Sequence, residues 1–196
     1  MGPSKIAILM SVRNEESYID LNISYHLDLG FDHIFIADHC STDGTKKILE
    51  SYRNNPKVIV IEEKDPVFDH ARITNRLLKY AKENYQLDWF IFLDVDEFLS
   101  IKEKDVHDFI VRLEKNNIPY ATIGWANALF DYTFKDYTCS PTHPIDTTKY
   151  FYPWPEKDWQ EYGHFRKAIV RNHNNMEVVV GGHYVRTENN RDFFGH

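Results

Sequence analysis

Short apolar runs alternate with longer segments of mixed polarity through the first half of the chain. Each run is nearly continuous, as in a strand buried on both faces of a sheet, and the longer segments have the apolar period of amphipathic helices. The predicted strands are 5–12, 33–37, 58–62 and 89–93, and the predicted helices are 15–29, 41–54, 69–85 and one that begins after Asp105. Strands that alternate with helices are parallel and joined by crossovers, so we predict a three-layer α/β/α fold with a mostly parallel central sheet.

Residues with strong preferences for helix ends support these assignments. Asn14, Asp69 and Asp105 are predicted N-caps, because their side chains can accept a hydrogen bond from a free amide of the first turn. Gly30 is the predicted stop of the first helix, and Pro56 follows the second.

The pattern changes after residue 128. Residues 120–128 form a predicted strand, and residues 131–165 are rich in Pro, Asp, Thr and aromatic residues without a regular period. A connection of this length is usually functional or mobile. Two short strands, 166–171 and 177–180, are predicted around an Asn-rich turn.

Size and composition indicate one domain. The chain has 196 residues, 42% of them hydrophobic, enough for one core and too few for two ordinary domains. The net charge of -7 argues against a nucleic acid or an anionic membrane as partner, since these bind proteins with a basic excess. No apolar run approaches the about 20 residues that a membrane-spanning helix needs, so we predict neither a transmembrane segment nor a signal peptide, and a cytoplasmic location.

Neither the cysteines nor the N-terminal residues are predicted to belong to a functional site. Cys40 and Cys139 lack metal-binding spacing, and we expect two free thiols in a reducing compartment. Residues 1–4 resemble the remnant of an expression tag, which we expect to lie outside the fold.

Three carboxylates follow directly after the apolar run 89–93: Asp94, Asp96 and Glu97. Open α/β sheets bind their ligands at the carboxyl ends of strands. Mg²⁺ and Mn²⁺ prefer oxygen ligands, and a metal that also holds substrate phosphates usually takes one or two protein carboxylates. The spacing of Asp94 and Asp96 therefore predicts such a metal site, and the alternative is a solvated acidic turn or a helix cap.

Several familiar chemistries are excluded by the residues. The first strand-to-helix turn, 11–15, has no glycine, so it is neither a dinucleotide-binding turn nor a P-loop, nor the glycine-rich loop of a sugar-1-phosphate nucleotidyltransferase. A phosphatase with an aspartate nucleophile carries its two acids after the first strand, which here ends in Ser11. No G-x-S-x-G turn is present.

Four segments together resemble the successive motifs of GT-A glycosyltransferases of the family-2-like kind. They are Ile6–Ile19, Asp38–Thr45, Ala71–Arg72 and Asp94–Asp96. Further on, Phe165–Arg171 followed by Val180–His183 is similar to the C-terminal part of that group's smaller members, while 131–165 matches nothing. The resemblance implies the GT-A fold over the whole chain, with a nucleotide-binding half at 5–100 and an acceptor and metal-completing half at 101–196.

The resemblance also assigns roles to particular residues. It implies nucleotide binding by Ser11, Arg13, Asp38, Arg72, Asp94 and Lys167. Among these, Asp38 would accept hydrogen bonds from the base or the ribose, and Asp94 would lie near the ribose. Lys167 would offset diphosphate charge. His39 stands where the family often has a second acid.

The metal, Mn²⁺ or Mg²⁺, is assigned to Asp96 and to His183. The family often brings a late histidine to the metal, and the two glycines before His183 permit close backbone approach. Glu97 is expected to support or cap the site rather than to bind the metal.

The resemblance implies transfer of a sugar from a nucleoside diphosphate sugar to a carbohydrate or other hydroxyl acceptor, in glycan or polysaccharide synthesis. A UDP-sugar is the expected donor. The resemblance also implies inversion, which requires a carboxylate base near the acceptor hydroxyl. The candidates are Glu156, Asp158 and Glu161, which lie in the segment expected to border the acceptor, with Asp158 preferred and Asp131 in reserve. Without a base there, a retaining reaction becomes the competing hypothesis.

Two other functions stay open from the sequence. One is a metal-dependent sugar-nucleotide hydrolase or nucleotidyltransferase, which product analysis separates from a glycosyltransferase. The other is a catalytically silent nucleotide-binding domain of a larger protein.

Overall fold

The computed structural model describes residues 2–124, 126–129, 150–153, 166–179 and 184–186. The strands are β1 (Ile6–Val12), β2 (His33–His39), β3 (Val58–Glu63), β4 (Trp89–Phe92), β5 (Tyr120–Gly124), β6 (Ala126–Leu129), β7 (Tyr150–Pro153), β8 (Arg166–Arg171), β9 (Glu177–Val179) and β10 (Tyr184–Arg186). The helices are α1 (Ile19–Asp28), α2 (Thr45–Ser51), α3 (His70–Asn84) and α4 (Val106–Lys115).

Six strands form the central sheet in the order β3-β2-β1-β4-β8-β5. The first four are parallel to one another, whereas β8 runs antiparallel to both β4 and β5. Two smaller sheets pair β9 with β10 and β6 with β7. The prediction of an α/β fold with a mostly parallel central sheet is confirmed.

Each face of the sheet has its own core, which explains why the central strands are continuously apolar. In β1, Ile6, Ile8 and Met10 pack with residues of α1, α2 and α4. Ala7 and Leu9 point the other way and pack with α3. Successive side chains of a strand alternate between the two faces of the sheet. A strand that is covered on both faces therefore has apolar residues at nearly every position.

Helix α3 shows how local signals and packing agree. The Asp69 side chain accepts a hydrogen bond from the Arg72 amide at 3.0 Å, as predicted for an N-cap. Ile73, Leu77 and Ala81 lie four residues apart, share one face and are buried against the sheet. Burial of a side chain such as Leu77 stabilises the fold by about 2 kcal/mol. Asp105 caps α4 in the same way, through the Asp108 amide.

Some predicted boundaries are wrong. Helix α1 begins at Ile19 instead of Glu15, and Asn14 is not its cap but has a positive φ of 57°. Helix α2 spans only Thr45–Ser51. Gly30, with φ of 101°, does follow α1 as predicted.

The later strands also differ from their prediction. The predicted strand 120–128 is divided into β5 and β6, which belong to different sheets. Strands β8 and β9 do not pair with each other across the Asn-rich turn, because β8 inserts between β4 and β5 while β9 pairs with β10.

Three smaller predictions concern the N-terminus, the thiols and the membrane. Ser4, which we assigned to a tag remnant, donates a hydrogen bond to Glu114 Oε1 at 2.7 Å. Cys40 is a free thiol as predicted, and Cys139 lies outside the described residues. None of the helices in the described part of the chain has the length and apolarity needed to cross a membrane.

Candidate active site at the carboxyl edge of the sheet

The predicted site residues lie at one edge of the central sheet. Strands β2, β1 and β4 are parallel neighbours, so their carboxyl ends meet there. Ser11 and Val12 pair in register with Ala37 and Asp38, and the Leu93 amide continues the ladder to Leu9 O at 3.2 Å. The edge thus brings together side chains that are far apart in the sequence.

Strand β8 adds a buried cation to this edge. Lys167 Nζ lies 2.8 Å from Asp94 Oδ2 and 3.3 Å from Glu97 Oε2. The Lys167 side chain is only 2% exposed, against 40% for Asp94 and 17% for Glu97. A buried charge of this kind is stable only when paired, and here two carboxylates pair with it.

The two carboxylates that contact Lys167 have opposite pKa shifts. Burial acts to raise the pKa of Asp94, but the nearby His70 ring, together with the charge and the hydrogen bond of Lys167, outweighs it and lowers the pKa to about 2. Burial raises the pKa of Glu97 to about 7 despite the charge of Lys167, and the charge of Asp94 adds to that increase. Asp94 is therefore the permanent anion of the pair.

Glu97 also supports the turn after β4. Its Oε2 accepts a hydrogen bond from the Asp94 amide at 2.8 Å, and the Glu97 amide donates to Asp94 O at 3.1 Å. This geometry agrees with the expected supporting or capping role of Glu97.

Asp96 differs from Asp94 and Glu97, which are partly buried, because it is exposed. Within the described residues its carboxylate takes part in no hydrogen bond or ion pair, so its oxygens are available to a ligand. Burial raises the pKa of Glu15, and the charges of Asp96, Asp43 and Asp94 raise it further, so Asp96 belongs to a region of negative potential.

A divalent cation fits these donors. Hard cations take carboxylate oxygens, and one free carboxylate in a negative field suits a metal that obtains its other ligands from water and a diphosphate. No group of three or more His, Cys, Asp or Glu that could hold a metal by itself occurs among the described residues. His183, the second predicted ligand, lies outside them.

A cleft next to Asp94 contains unpaired polar atoms. It is lined by residues of β1, α3 and β4, including Ser11, His70, Thr74 and Asp94. Ser11 Oγ, His70 Nδ1 and Thr74 Oγ1 are buried, and none of them has a hydrogen-bond partner in the described part of the protein. Nearly all buried polar groups are hydrogen-bonded, so three unpaired atoms around one cleft are an unusual feature of this edge of the sheet.

His70 and Thr74 were not among the residues predicted from the sequence. His70 Nε2 lies 3.6 Å from Asp94 Oδ1, on the opposite carboxylate oxygen from Lys167. The signal that could have revealed them is the position of Asp69 as a cap, because it places the first turns of α3 beside the carboxyl ends of the strands.

The predicted nucleotide residue Asp38 is 2% exposed at the end of β2. Its Oδ1 accepts a hydrogen bond from the Ser41 amide at 3.2 Å. The following residue, His39, is also buried, and its Nε2 is hydrogen-bonded to Asp65 O at 2.7 Å. The side chain of His39 therefore fastens the segment before α3 to the sheet.

That segment also presents an aromatic ring that was not among the predicted site residues. Phe68 is 55% exposed, and its ring centroid lies 5.3 Å from that of His39 and 6.2 Å from that of His70. An exposed phenylalanine between two histidines at the site edge offers a flat apolar surface.

The two predicted arginines are placed differently. Arg13 is exposed after β1. Arg72 lies in the first turn of α3 as predicted, but its guanidinium donates to Val67 O at 2.9 Å and pairs with Asp65 at 3.1 Å. Contact of either arginine with a nucleotide stays a prediction.

The motif after β1 and the motif after β2 bind each other. Asn14 Oδ1 accepts from the Thr42 amide at 2.8 Å, and the Glu15 amide donates to Thr45 Oγ1 at 2.7 Å. Glu16 Oε2 accepts from the Gly44 amide at 2.6 Å. These bonds keep residues 14–18 out of α1, which explains why the predicted start of that helix was wrong.

The predicted base candidates lie outside the described residues. They are Asp131, Glu156, Asp158 and Glu161. Their roles stay predictions.

Comparison with known proteins identifies a family and a fold. The model of the family described as Glycosyl transferase family 2 matches residues 7–194. No curated protein matches the chain. The crystal structure of Staphylococcus aureus TarS 1–349 superimposes with a TM-score of 0.50 at 20% identity, over 65% of this chain and 40% of that one. The complex of TarS 1–349 with UDP-GlcNAc gives the same TM-score and identity, over 65% and 38% of the two chains.

A more distant likeness is to glucosyl-3-phosphoglycerate synthase from Mycobacterium tuberculosis in complex with Mn²⁺, UDP and phosphoglyceric acid. Its TM-score is 0.37 at 21% identity, over 47% of this chain and 33% of that one. The chain therefore spans well under half the length of these solved structures. The likeness to TarS confirms the GT-A fold.

Proposed function

The chain belongs to glycosyl transferase family 2, and from that premise we propose that it transfers a sugar from a UDP-sugar to a hydroxyl acceptor. The structure of TarS in complex with UDP-GlcNAc supports the choice of nucleotide to test first. The acceptor is a carbohydrate or another hydroxyl compound, and the product a glycan or polysaccharide.

The observation that carries this proposal is the group of acidic side chains at the carboxyl edge of the sheet. Asp94 and Asp96 follow β4 at the edge where open α/β sheets bind their ligands, beside the ends of β1 and β2. Asp94 keeps its negative charge at neutral pH and is 40% exposed, which suits ribose hydroxyls, since these donate hydrogen bonds to a carboxylate. Asp38, at the next strand end, supplies an acceptor for an N–H of the base.

The diphosphate of the donor requires a positive partner at this edge. We propose that Asp96, with His183, holds Mn²⁺ or Mg²⁺, because the free carboxylate of Asp96 faces solvent in a region of negative potential. A bound divalent cation would supply Lewis-acid stabilisation of the negative charge that develops on the leaving diphosphate.

Lys167 has a different place in this scheme from the one that the resemblance implied. Its charge is shared between Asp94 and Glu97, so its supported role is to fix the orientation of Asp94. Direct contact of Lys167 with the diphosphate stays a prediction.

We propose an inverting reaction, in which a carboxylate removes the proton of the acceptor hydroxyl on the face opposite the leaving group. The candidates are Asp158, Glu161, Glu156 and Asp131. The division into a nucleotide half and an acceptor half and the cytoplasmic location likewise stay predictions.

A panel of nucleotide sugars, each tested by thermal unfolding with Mn²⁺ and with EDTA, tests the proposal. A UDP-sugar at 100 times its dissociation constant should stabilise the protein by about 2.7 kcal/mol, and only in the presence of metal, because the acidic edge repels an unaccompanied diphosphate. Pyrophosphate with Mn²⁺ is the control for charge alone. Equal stabilisation in EDTA would contradict the metal requirement.

Product analysis completes the test. Chromatography of a UDP-sugar reaction with and without added acceptors distinguishes a glycoside from free sugar or sugar phosphate. Release of sugar phosphate with every acceptor would replace the transferase by a hydrolase.

A further inference from the structure

Helix α1 holds the acidic turn, which we define as residues 94–99. Asn22 Nδ2 donates to Val95 O at 2.7 Å and to Glu97 O at 2.9 Å. These two carbonyl groups flank Asp96 in the sequence. Both hydrogens of one amide group are thus used to fix the backbone on either side of the free carboxylate.

The orientation of this amide is set by His26. His26 Nδ1 lies 2.9 Å from Asn22 O and 3.0 Å from Asn22 Oδ1, and the Leu99 amide donates to His26 Nε2 at 3.3 Å. An Nε2 that accepts a hydrogen bond requires the proton on Nδ1, so Nδ1 is the donor to Asn22. The Asn22 oxygen therefore faces His26, and its nitrogen faces the acidic turn.

The network continues to the end of the turn and is fully buried. Tyr25 Oη donates to Leu99 O at 2.7 Å. Asn22 and Tyr25, three residues apart on α1, therefore contact the first part and the end of the acidic turn. Asn22 and His26 are each 0% exposed. An amide and an imidazole in a core are costly unless satisfied, and the Asn22 amide nitrogen and His26 Nε2 find their partners on the backbone of the turn.

Asp96 depends on this support more than its neighbours do. Asp94 is held through its own side chain by Lys167, and Glu97 by Lys167 and the Asp94 amide. The side chain of Asp96 has no such contact among the described residues, so the position of its carboxylate depends on the backbone contacts of the acidic turn.

We propose that Asn22 is a positioning residue, which places the Asp96 carboxylate for binding of a divalent cation with a nucleoside diphosphate. The proposal rests on the proposed function, since it assumes the metal at Asp96. Outer contacts that orient metal-binding groups typically change metal affinity by about 10-fold to 100-fold when removed.

Asn22→Ala removes both bonds to the acidic turn. Asn172→Ala is the matched control, because Asn172 Nδ2 also donates to a main-chain carbonyl, Leu87 O, at 2.8 Å, but before the amino end of β4. Each variant is titrated calorimetrically with Mn²⁺ in the presence of UDP. Thermal unfolding without metal and amide hydrogen exchange at residues 95–99 are measured alongside.

We expect Asn22→Ala to raise the Mn²⁺ dissociation constant at least about 10-fold and to speed exchange in the acidic turn. Asn172→Ala should stay within twofold of the wild type in Mn²⁺ affinity, even where its unfolding temperature falls as well. If Asn22→Ala does not fold, Asn22→Ser is used, since a hydroxyl cannot donate to both carbonyls.

The outcomes separate the two proposals. A folded Asn22 variant with wild-type Mn²⁺ affinity would overturn the positioning role and leave the proposed function intact. A wild-type protein that binds no Mn²⁺ with UDP would overturn the metal site, and with it the role of Asn22 there.

Discussion

Replacing Glu97 by glutamine should change how the stability of the protein depends on pH. Glu97 is mostly buried, and burial, opposed by Lys167 and aided by Asp94, raises its pKa to about 7 in the folded protein from an ordinary value of 4.5. Glutamine has nearly the same shape, and its oxygen can still accept the Asp94 amide that Glu97 Oε2 accepts at 2.8 Å. The substitution therefore removes the ionisation and keeps the hydrogen bond.

The sign follows from proton binding in the two states. Between pH 4.5 and about 7, the folded protein keeps a proton on Glu97 that the unfolded chain has released, so the free energy of unfolding falls as pH rises. One pKa unit corresponds to about 1.4 kcal/mol, so the loss across this window is about 3 kcal/mol. The contribution is fully present below pH 4.5 and gone above about pH 7.

Asp94 does not disturb this measurement. Its pKa is lowered to about 2 from an ordinary value of 3.8, so its contribution is present above pH 3.8 and is lost only as pH falls below that value. A series from about pH 4 to about pH 8 therefore reports mainly on Glu97 among the groups that contact Lys167.

The assay is urea unfolding of the wild type and of Glu97→Gln at each pH. Tryptophan fluorescence, which includes that of the buried Trp89, monitors the unfolding. The free energy of the wild type minus that of the variant should fall by about 3 kcal/mol from pH 4 to pH 8. Glu114→Gln is a control of opposite sign. A hydrogen bond from Ser4, opposed by burial and aided by Trp89, lowers the pKa of Glu114, so this difference should grow as pH rises through 4.5. Parallel pH profiles for wild type and Glu97→Gln would refute the reasoning.

Three further variants test the site and the fold. Asp96→Asn should lower metal-dependent turnover at least about 100-fold while the urea midpoint holds or rises, because neighbouring acids repel; activity within a few-fold of wild type would remove Asp96 from the site. His183→Ala should weaken Mn²⁺ binding in calorimetry and spare the metal-free fold, whereas a packing role predicts unchanged affinity and a loss of about 2 kcal/mol or more. Gly30→Ala should cost about 1–2 kcal/mol in urea unfolding, because φ of 101° is unfavourable for a residue with a Cβ, and unchanged stability would contradict that account.

The sequence was sufficient where the signal is local. Asp69 and Asp105 were predicted as N-caps and are N-caps, since the bond from each carboxylate reaches an amide three residues ahead. The buried strands were found because burial on both faces produces an apolar run that needs no knowledge of the partner strands. The order of strands and helices then fixed the parallel sheet, and with it the edge that carries Asp38 and Asp94.

Features that depend on contact between two segments far apart in the sequence were misassigned or missed. Asn14 has the composition of a helix cap, yet its side chain accepts from Thr42, 28 residues away, and its backbone takes a positive φ. The Asp69 cap indicates where α3 begins, but the contact of the His70 ring with Asp94 depends on how α3 packs against the sheet.

The tertiary structure alone decided the electrostatics of the site. Lys167 and Asp94 are 73 residues apart, and they meet because β8 enters the sheet antiparallel between β4 and β5. That insertion buries the lysine and holds Asp94 as an anion, whereas the Asp96 carboxylate has no hydrogen bond or ion pair among the described residues. A sequence pattern records the period and the ends of each element, whereas a pKa depends on which charges and how much solvent surround a group in space, and these are set only when distant elements pack.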